Sequence, residues 1–197
     1  MPDMDHSPAF WSDVATTFKG NNAAILELFN EPFNISWSCW RDGGSCSGVS
    51  YQVAGIQTLV NTVRATGATN VIAQGGLAWS NDLTGWLANR PTDPLNNLAA
   101  AWHVYDFNAC NNTSCFDSVA GPIAAQVPVI VTETGSGGCN DAFAELVMNW
   151  LDARGQSYLP WSWHAGSGCG GMNLIADPYS ATPAAYGQVF QTHFLTH

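Results

Sequence analysis

The chain has 197 residues, 46% of them hydrophobic and 12% aromatic, with 15 acidic residues against 5 basic ones and a formal net charge of −10. That length suits a single domain, residues 1–197, with ample material for a core. The acidic balance excludes the basic patches that nucleic acid and anionic membranes demand, so a neutral polymer is the better partner. No run is long enough to span a membrane.

A helix is expected from Ser7 as cap and Pro8 in the first turn, with Phe10, Trp11, Val14, Ala15 and Phe18 on one face and a stop at Gly20. A first strand follows over 23–30. It is mostly apolar, delivers Glu31, and breaks at Pro32. A Ser-, Gly- and Trp-rich loop then runs from Pro32 to Ser50, long enough to suggest a functional role. Next comes a helix from Tyr51 carrying Val53, Ile56, Leu59, Val60 and Val63, closed by Gly67. The second strand is Asn70–Gln74, followed by Gly75-Gly76-Leu77-Ala78-Trp79. The third strand is Leu98–Tyr105. A weak helical pattern over 116–126 precedes the fourth strand, Val127–Thr132, which delivers Glu133 before Gly135. A helix from Asp141 to Gly155, a fifth strand over 157–163 and a last helix opened by Thr182-Pro183 complete the chain.

Strands alternating with helices at spacings of about 30 residues specify parallel βα units. Right-handed crossovers place the helices outside the sheet. Five such strands are most of a (β/α)₈ barrel, with roughly three units short of closure.

Six cysteines are present: Cys39, Cys46, Cys110, Cys115, Cys139 and Cys169. They fit no standard zinc spacing. The two short loops suggest Cys39–Cys46 and Cys110–Cys115 bridges, which leaves Cys139–Cys169. Disulfides point to an oxidising compartment and hence to a secreted protein. The acidic start, Met1 to Asp5, does not read as a signal peptide, so the leader is expected to be absent from this chain.

Two carboxylates at the C-terminal ends of parallel strands can flank one glycosidic bond, one as acid and one as nucleophile. Glu31 and Glu133 are the candidates. Asn30 can donate a hydrogen bond to a sugar hydroxyl. His103 and Tyr105 share a strand face by period-two alternation, and the Tyr hydroxyl can hold a neighbouring carboxylate ionised. Trp161 and Trp163 alternate to one face of the last strand and can stack on a sugar ring. Trp79 is placed for a leaving-group platform. An esterase reading fails because no Gly-x-Ser-x-Gly elbow stands at a strand-to-helix turn. Asn34, Asn111 and Asn112 each open a glycosylation sequon.

The segments Leu26-Glu27-Leu28-Phe29-Asn30-Glu31-Pro32, His103-Val104-Tyr105, Val131-Thr132-Glu133-Thr134-Gly135 and the Trp161/Trp163 strand together resemble glycoside hydrolase family 5 cellulases, of clan A. The resemblance implies an N-terminally truncated (β/α)₈ TIM barrel. It also implies Glu31 as acid/base, Glu133 as nucleophile, and a retaining endo-β-1,4-glucanase acting on β-1,4-glucan, with xylan or mannan as further substrates. It implies neither a metal nor an organic cofactor. The truncation leads to the expectation of a homo-oligomer that covers the open barrel edges, and it supplies the alternative to the glucanase reading, a catalytically weak carbohydrate-binding remnant of a cellulase.

Overall fold

The computed structural model describes residues 1–138, 141–166 and 171–196. They form two compact units, the first comprising Met1–Ala101 with Ala125–Pro128 and the second Trp102–Ala124 with Val129–His197.

The first unit opens with α1 (Ser7–Phe18), with Pro8 in its first turn where no amide hydrogen is needed. The Trp11 indole donates to the Leu28 carbonyl at 3.0 Å. That tether turns Ala15 inward and leaves Phe10 and Phe18 59% and 43% exposed, against the expected apolar face. The strand β1 (Leu26–Glu27) is far shorter than the expected 23–30. Upstream, the Asn70 side-chain amide binds the carbonyls of Phe18, Asn21 and Ala24, which holds that segment in a turn.

The long loop after Pro32 is mostly ordered. Ser36 accepts from the Cys39 amide and caps α2 (Trp37–Asp42). Then β2 (Gly43–Ser45) pairs antiparallel with β3 (Gln52–Ala54). Cys39 is bonded to Cys46, with their Cα atoms 5.9 Å apart. The expected helix from Tyr51 is thus a strand over its first residues. Its approach to β2 needs glycine, because a Cβ on Gly43 would meet the Val53 carbonyl oxygen at 2.3 Å. The helix α3 (Ile56–Ala65) starts after Gly55 and buries Ile56, Leu59, Val60 and Val63, at the expected helical spacing. Gly67 ends it at a φ of 84°.

The strand β4 (Ile72–Gly75) is wholly buried. A turn, α4 (Leu77–Ser80), and a short helix, α5 (Trp86–Asn89), lead to β5 (Leu98–Tyr105), whose eight residues are all buried. A strand buried on both faces reads as an unbroken apolar run, which Leu98 to Trp102 is.

The second unit begins at Trp102 within β5. Asn112 caps α6 (Thr113–Val119), and α7 (Gly121–Ala124) follows. Cys110 is bonded to Cys115. Next are β6 (Val129–Gly135), α8 (Asp141–Asp152), β7 (Ser157–Pro160) and α9 (Ala185–Thr196). Trp102, Phe116 and Trp150 pack edge to face in one part of its core. Ala144, Met148, Leu174, Tyr186 and Phe190 fill another. The last strand stops at Pro160, not at residue 163. Beyond it, the Ser162 amide binds the Met172 carbonyl and the Ser162 carbonyl binds the Leu174 amide, so the backbone leaves the β6 ladder. The Trp161–Ser162 peptide is cis. The Cys139–Cys169 pair lies outside the described residues.

The strands are ordered β1-β4-β5-β6-β7 in one five-stranded sheet, with β5 running through both units. Parallel strands alternating with helices are the successive units of a (β/α)₈ barrel, incomplete here with five strands among the described residues. Among the described residues no helix is long and apolar enough to cross a membrane.

Candidate active site

In the first unit, Glu31 lies just past β1 with a left-handed φ of 49°. Such backbone costs of order 1–3 kcal/mol for a non-glycine residue and persists only where surrounding bonds enforce it. Here the next residue, Pro32, is buried, and its carbonyl accepts from the Trp79 amide at 3.0 Å. Glu31 itself is half-buried, and Asn30 is exposed.

Trp79 sits in a run of three left-handed residues, Ala78, Trp79 and Ser80. Two glycines make the run possible. A Cβ on Gly75 would meet the Ser80 hydroxyl at 2.3 Å, and one on Gly76 would meet the Asp82 carbonyl oxygen at 2.1 Å. Behind the turn, the indoles of Trp40 and Trp86 donate to the carbonyls of Gly75 and Gln74 at 3.0 and 2.9 Å. The Trp79 ring is half exposed and lies parallel to the Phe33 ring, with centroids 5.2 Å apart and planes 4° apart. Phe33 escaped the sequence reading. Its signal was an aromatic residue directly after Asn-Glu-Pro, in a loop with no core pattern to explain it.

In the second unit, Glu133 stands on β6. The Tyr105 hydroxyl donates to its Oε2 at 2.6 Å, and His103 Nδ1 lies 3.5 Å from the same oxygen. His103 is buried, while the Glu133 side chain keeps 15% exposure. Residues 103 and 105 therefore do serve one face, as their alternation predicts. Phe107 stacks on the Tyr105 ring at 5.0 Å, and the Tyr105 amide donates to the Asn108 side chain at 2.6 Å. Gly135 leaves room for this ring, since a Cβ there would meet Tyr105 Cε1 at 2.9 Å and Met172 Sδ at 2.6 Å. Phe107 is a further residue the sequence reading did not single out, and Gly135 was read only as the break after the fourth strand.

Trp161 and Trp163 lie beyond the strand, 46% and 70% exposed. Within the second unit His164 bonds to Ser162 through Nδ1, a local contact that stabilises the turn. Burial pushes the Tyr186 phenol up to about 12, and its oxygen accepts from the Ser136 amide directly after Gly135.

The sequence pattern described as Cellulase (glycosyl hydrolase family 5) matches residues 3–167. The chain belongs to this cellulase family. Endoglucanase 1 of Robillarda sp. (strain Y-20) is 27% identical over 180 residues, which cover 80% of this chain and 43% of that protein. The chain therefore spans less than half the length of this relative. The native β-glucanase SdGluc5_26A from Saccharophagus degradans is similar in fold, with a TM-score of 0.79 at 19% identity, over 96% of this chain and 59% of that one. The same enzyme in complex with cellotetraose gives a TM-score of 0.72 at 20% identity, covering 96% and 59%. The catalytic domain of Thermobifida fusca endoglucanase Cel5A (E5) gives 0.71 at 18% identity, covering 97% and 63%. These likenesses carry the family 5 cellulase fold onto the parallel strands described above.

Proposed function

We propose that the chain supplies the catalytic carboxylates of a secreted, retaining endo-β-1,4-glucanase. Glu133 attacks the anomeric carbon, and Glu31 protonates the departing glycosidic oxygen. A glycosyl-enzyme ester forms on Glu133 as the C–O bond to the leaving sugar breaks. Glu31, now ionised, takes a proton from water, and that water releases the sugar with net retention. The observation that carries this reading is the Tyr105–Glu133 hydrogen bond. A carboxylate held by a donor is fixed in position and keeps its second oxygen for attack.

β-1,4-Glucan is the proposed substrate, with xylan and mannan as secondary ones. Asn30 is assigned to a sugar hydroxyl, and Trp79, Trp161 and Trp163 to sugar faces. The Cys39–Cys46 and Cys110–Cys115 bridges favour the secreted setting. A second copy of the chain is proposed to cover the apolar surface beside β7.

Proton NMR of a soluble cello-oligosaccharide digest tests the mechanism. The β-anomer should appear first and mutarotate later, and Glu133→Gln should produce neither anomer while keeping its circular dichroism. An initial α-anomer would overturn double displacement, and an active Glu133→Gln would remove Glu133 as nucleophile.

A further inference from the structure

Three Asn-x-Ser/Thr sequons stand at Asn34, Asn111 and Asn112, and the proposed reaction uses none of them. An oligosaccharyltransferase acts on extended chain. The folded structure then decides which sugars the protein can carry without loss.

At Asn112, Oδ1 accepts from the Cys115 amide at 3.1 Å and forms the cap of α6. Its Nδ2 points to Asn111 Oδ1 at 3.3 Å. At Asn111, Nδ2 donates to the Asp106 carbonyl at 2.7 Å, and the residue is half-buried. A sugar on either nitrogen displaces or crowds a bond that holds the loop of the Cys110–Cys115 bridge. Asn34 is different. It is exposed, and its side chain makes no hydrogen bond among the described residues. Its left-handed φ of 50° is one that asparagine tolerates, and it turns the chain outward just before α2. Beside it lies an open groove of about 370 Å³ lined by Ser36, Ser38, Ser45, Ser47 and Asp42. Hydroxyls and a carboxylate on a shallow surface suit the hydroxyl and acetamido groups of a first N-acetylglucosamine.

We propose that Asn34 is an N-glycan attachment site whose first sugar rests on this serine-lined groove, next to the Phe33–Trp79 pair. In the transfer, Nδ2 of Asn34 bonds to C1 of the N-acetylglucosamine of a lipid-pyrophosphate-linked oligosaccharide. The C1–oxygen bond to phosphate breaks, the lipid pyrophosphate leaves, and one Nδ2 proton passes to the transferase. No oxidation or reduction occurs. In the folded product Ser36, the third residue of the sequon, caps α2, so transfer precedes closure of that helix.

The proposal rests on passage through a secretory pathway, not on hydrolysis, so its test is independent of activity. The full chain is secreted from a yeast host, deglycosylated by peptide-N-glycosidase in heavy-oxygen water, and mapped by peptide mass spectrometry. Nearly all Asn34 should appear as heavy-labelled Asp, with Asn111 and Asn112 largely unlabelled. Asn34→Gln should lower the intact mass by one glycan and speed proteolysis within residues 34–50. Unlabelled Asn34 overturns the proposal. Label at Asn111 or Asn112 with none at Asn34 does the same, and unchanged proteolysis of Asn34→Gln overturns the seating of the sugar on the groove.

Discussion

The Tyr105 hydroxyl donates a 2.6 Å hydrogen bond to Oε2 of Glu133, and Gly135, two residues on, is what lets the Tyr105 ring reach it. The donor and the glycine form one device. Hydrogen bonds to charged groups contribute about 1.5–3 kcal/mol. Tyr105→Phe should therefore lower kcat/KM on soluble β-glucan by roughly 10- to 100-fold with little change in thermal stability. Gly135→Ala should cost activity by the same route, by pushing the ring aside. A reducing-sugar assay beside a melting curve checks both, and an unchanged kcat/KM in Tyr105→Phe would remove this bond from the mechanism.

The Phe33–Trp79 stack covers one face of the indole, so only the other can meet a sugar. On the proposed reading Phe33 is a positioning residue for the Trp79 ring. Aromatic pairs of this geometry contribute about 0.5–1.5 kcal/mol. Phe33→Ala should raise KM for cello-oligosaccharides roughly 2- to 10-fold with kcat nearly constant, and Phe33→Tyr should restore it. Trp79→Ala should raise KM further. A fall in kcat alone would mean that the pair shapes the reaction and not the binding.

Where a pattern has one physical cause, it was legible in the sequence. The buried run of β5 has the expected bounds, Leu98–Tyr105, because no turn residue interrupts it and both faces are covered. Ile56, Leu59, Val60 and Val63 fall on the buried side of α3 as their spacing requires. Misreadings arose where a distant partner decides. Val53 and Ala54 extend the helical pattern of α3, yet they pair with Gly44 and Gly43 respectively, which precede them in the hairpin. Trp161 and Trp163 alternate like a strand, yet the backbone at Ser162 bonds to Met172 and Leu174. At the site, His103, Tyr105 and Glu133 were visible by alternation and strand position. Phe33 was not, and Gly135 was visible only as a strand break, since a ring against a ring and the clearance left by a missing Cβ leave no periodic trace.

Arg64 and Asp93 form a buried bidentate pair, with bonds of 2.8 and 2.9 Å and side-chain exposures of 6% and 1%. Burial alone would raise the Asp93 carboxyl. The Arg64 bonds and the amides of Asn97 and Leu95 outweigh it, and the group lies below its ordinary value. A depressed carboxylate stabilises the fold above its unfolded value, about 3.9, and that stability is lost as pH falls through the lower folded value. Asp93→Asn leaves Arg64 buried without its counter-charge and should cost about 3–5 kcal/mol at neutral pH. The loss should shrink at acid pH, where the native Asp93 is itself protonated. Urea unfolding at neutral and acid pH measures both, and a pH-independent difference would assign the cost to packing.

Beside β7, Leu159, Trp163, Phe194 and Leu195 are 57%, 70%, 52% and 80% exposed around an apolar groove of about 440 Å³. On the proposed reading this contiguous apolar patch is an interaction surface, and among the described residues β7 ends the strand order, as an edge strand suited to pairing does. A second copy of the chain carries the same strand and the same groove, which makes a two-fold contact self-complementary. Equilibrium sedimentation at micromolar concentration should show a concentration-dependent dimer. Phe194→Ser with Leu195→Ser should weaken it by at least roughly tenfold, since two large apolar side chains lose about 1.5–3 kcal/mol of burial each. Leu195 is 80% exposed, so Leu195→Ser alone should keep the melting temperature, whereas Phe194 stacks on the Tyr158 ring with centroids 5.6 Å apart and its replacement should lower it modestly. A native chain that sediments as a monomer throughout would show that no second copy occupies this groove.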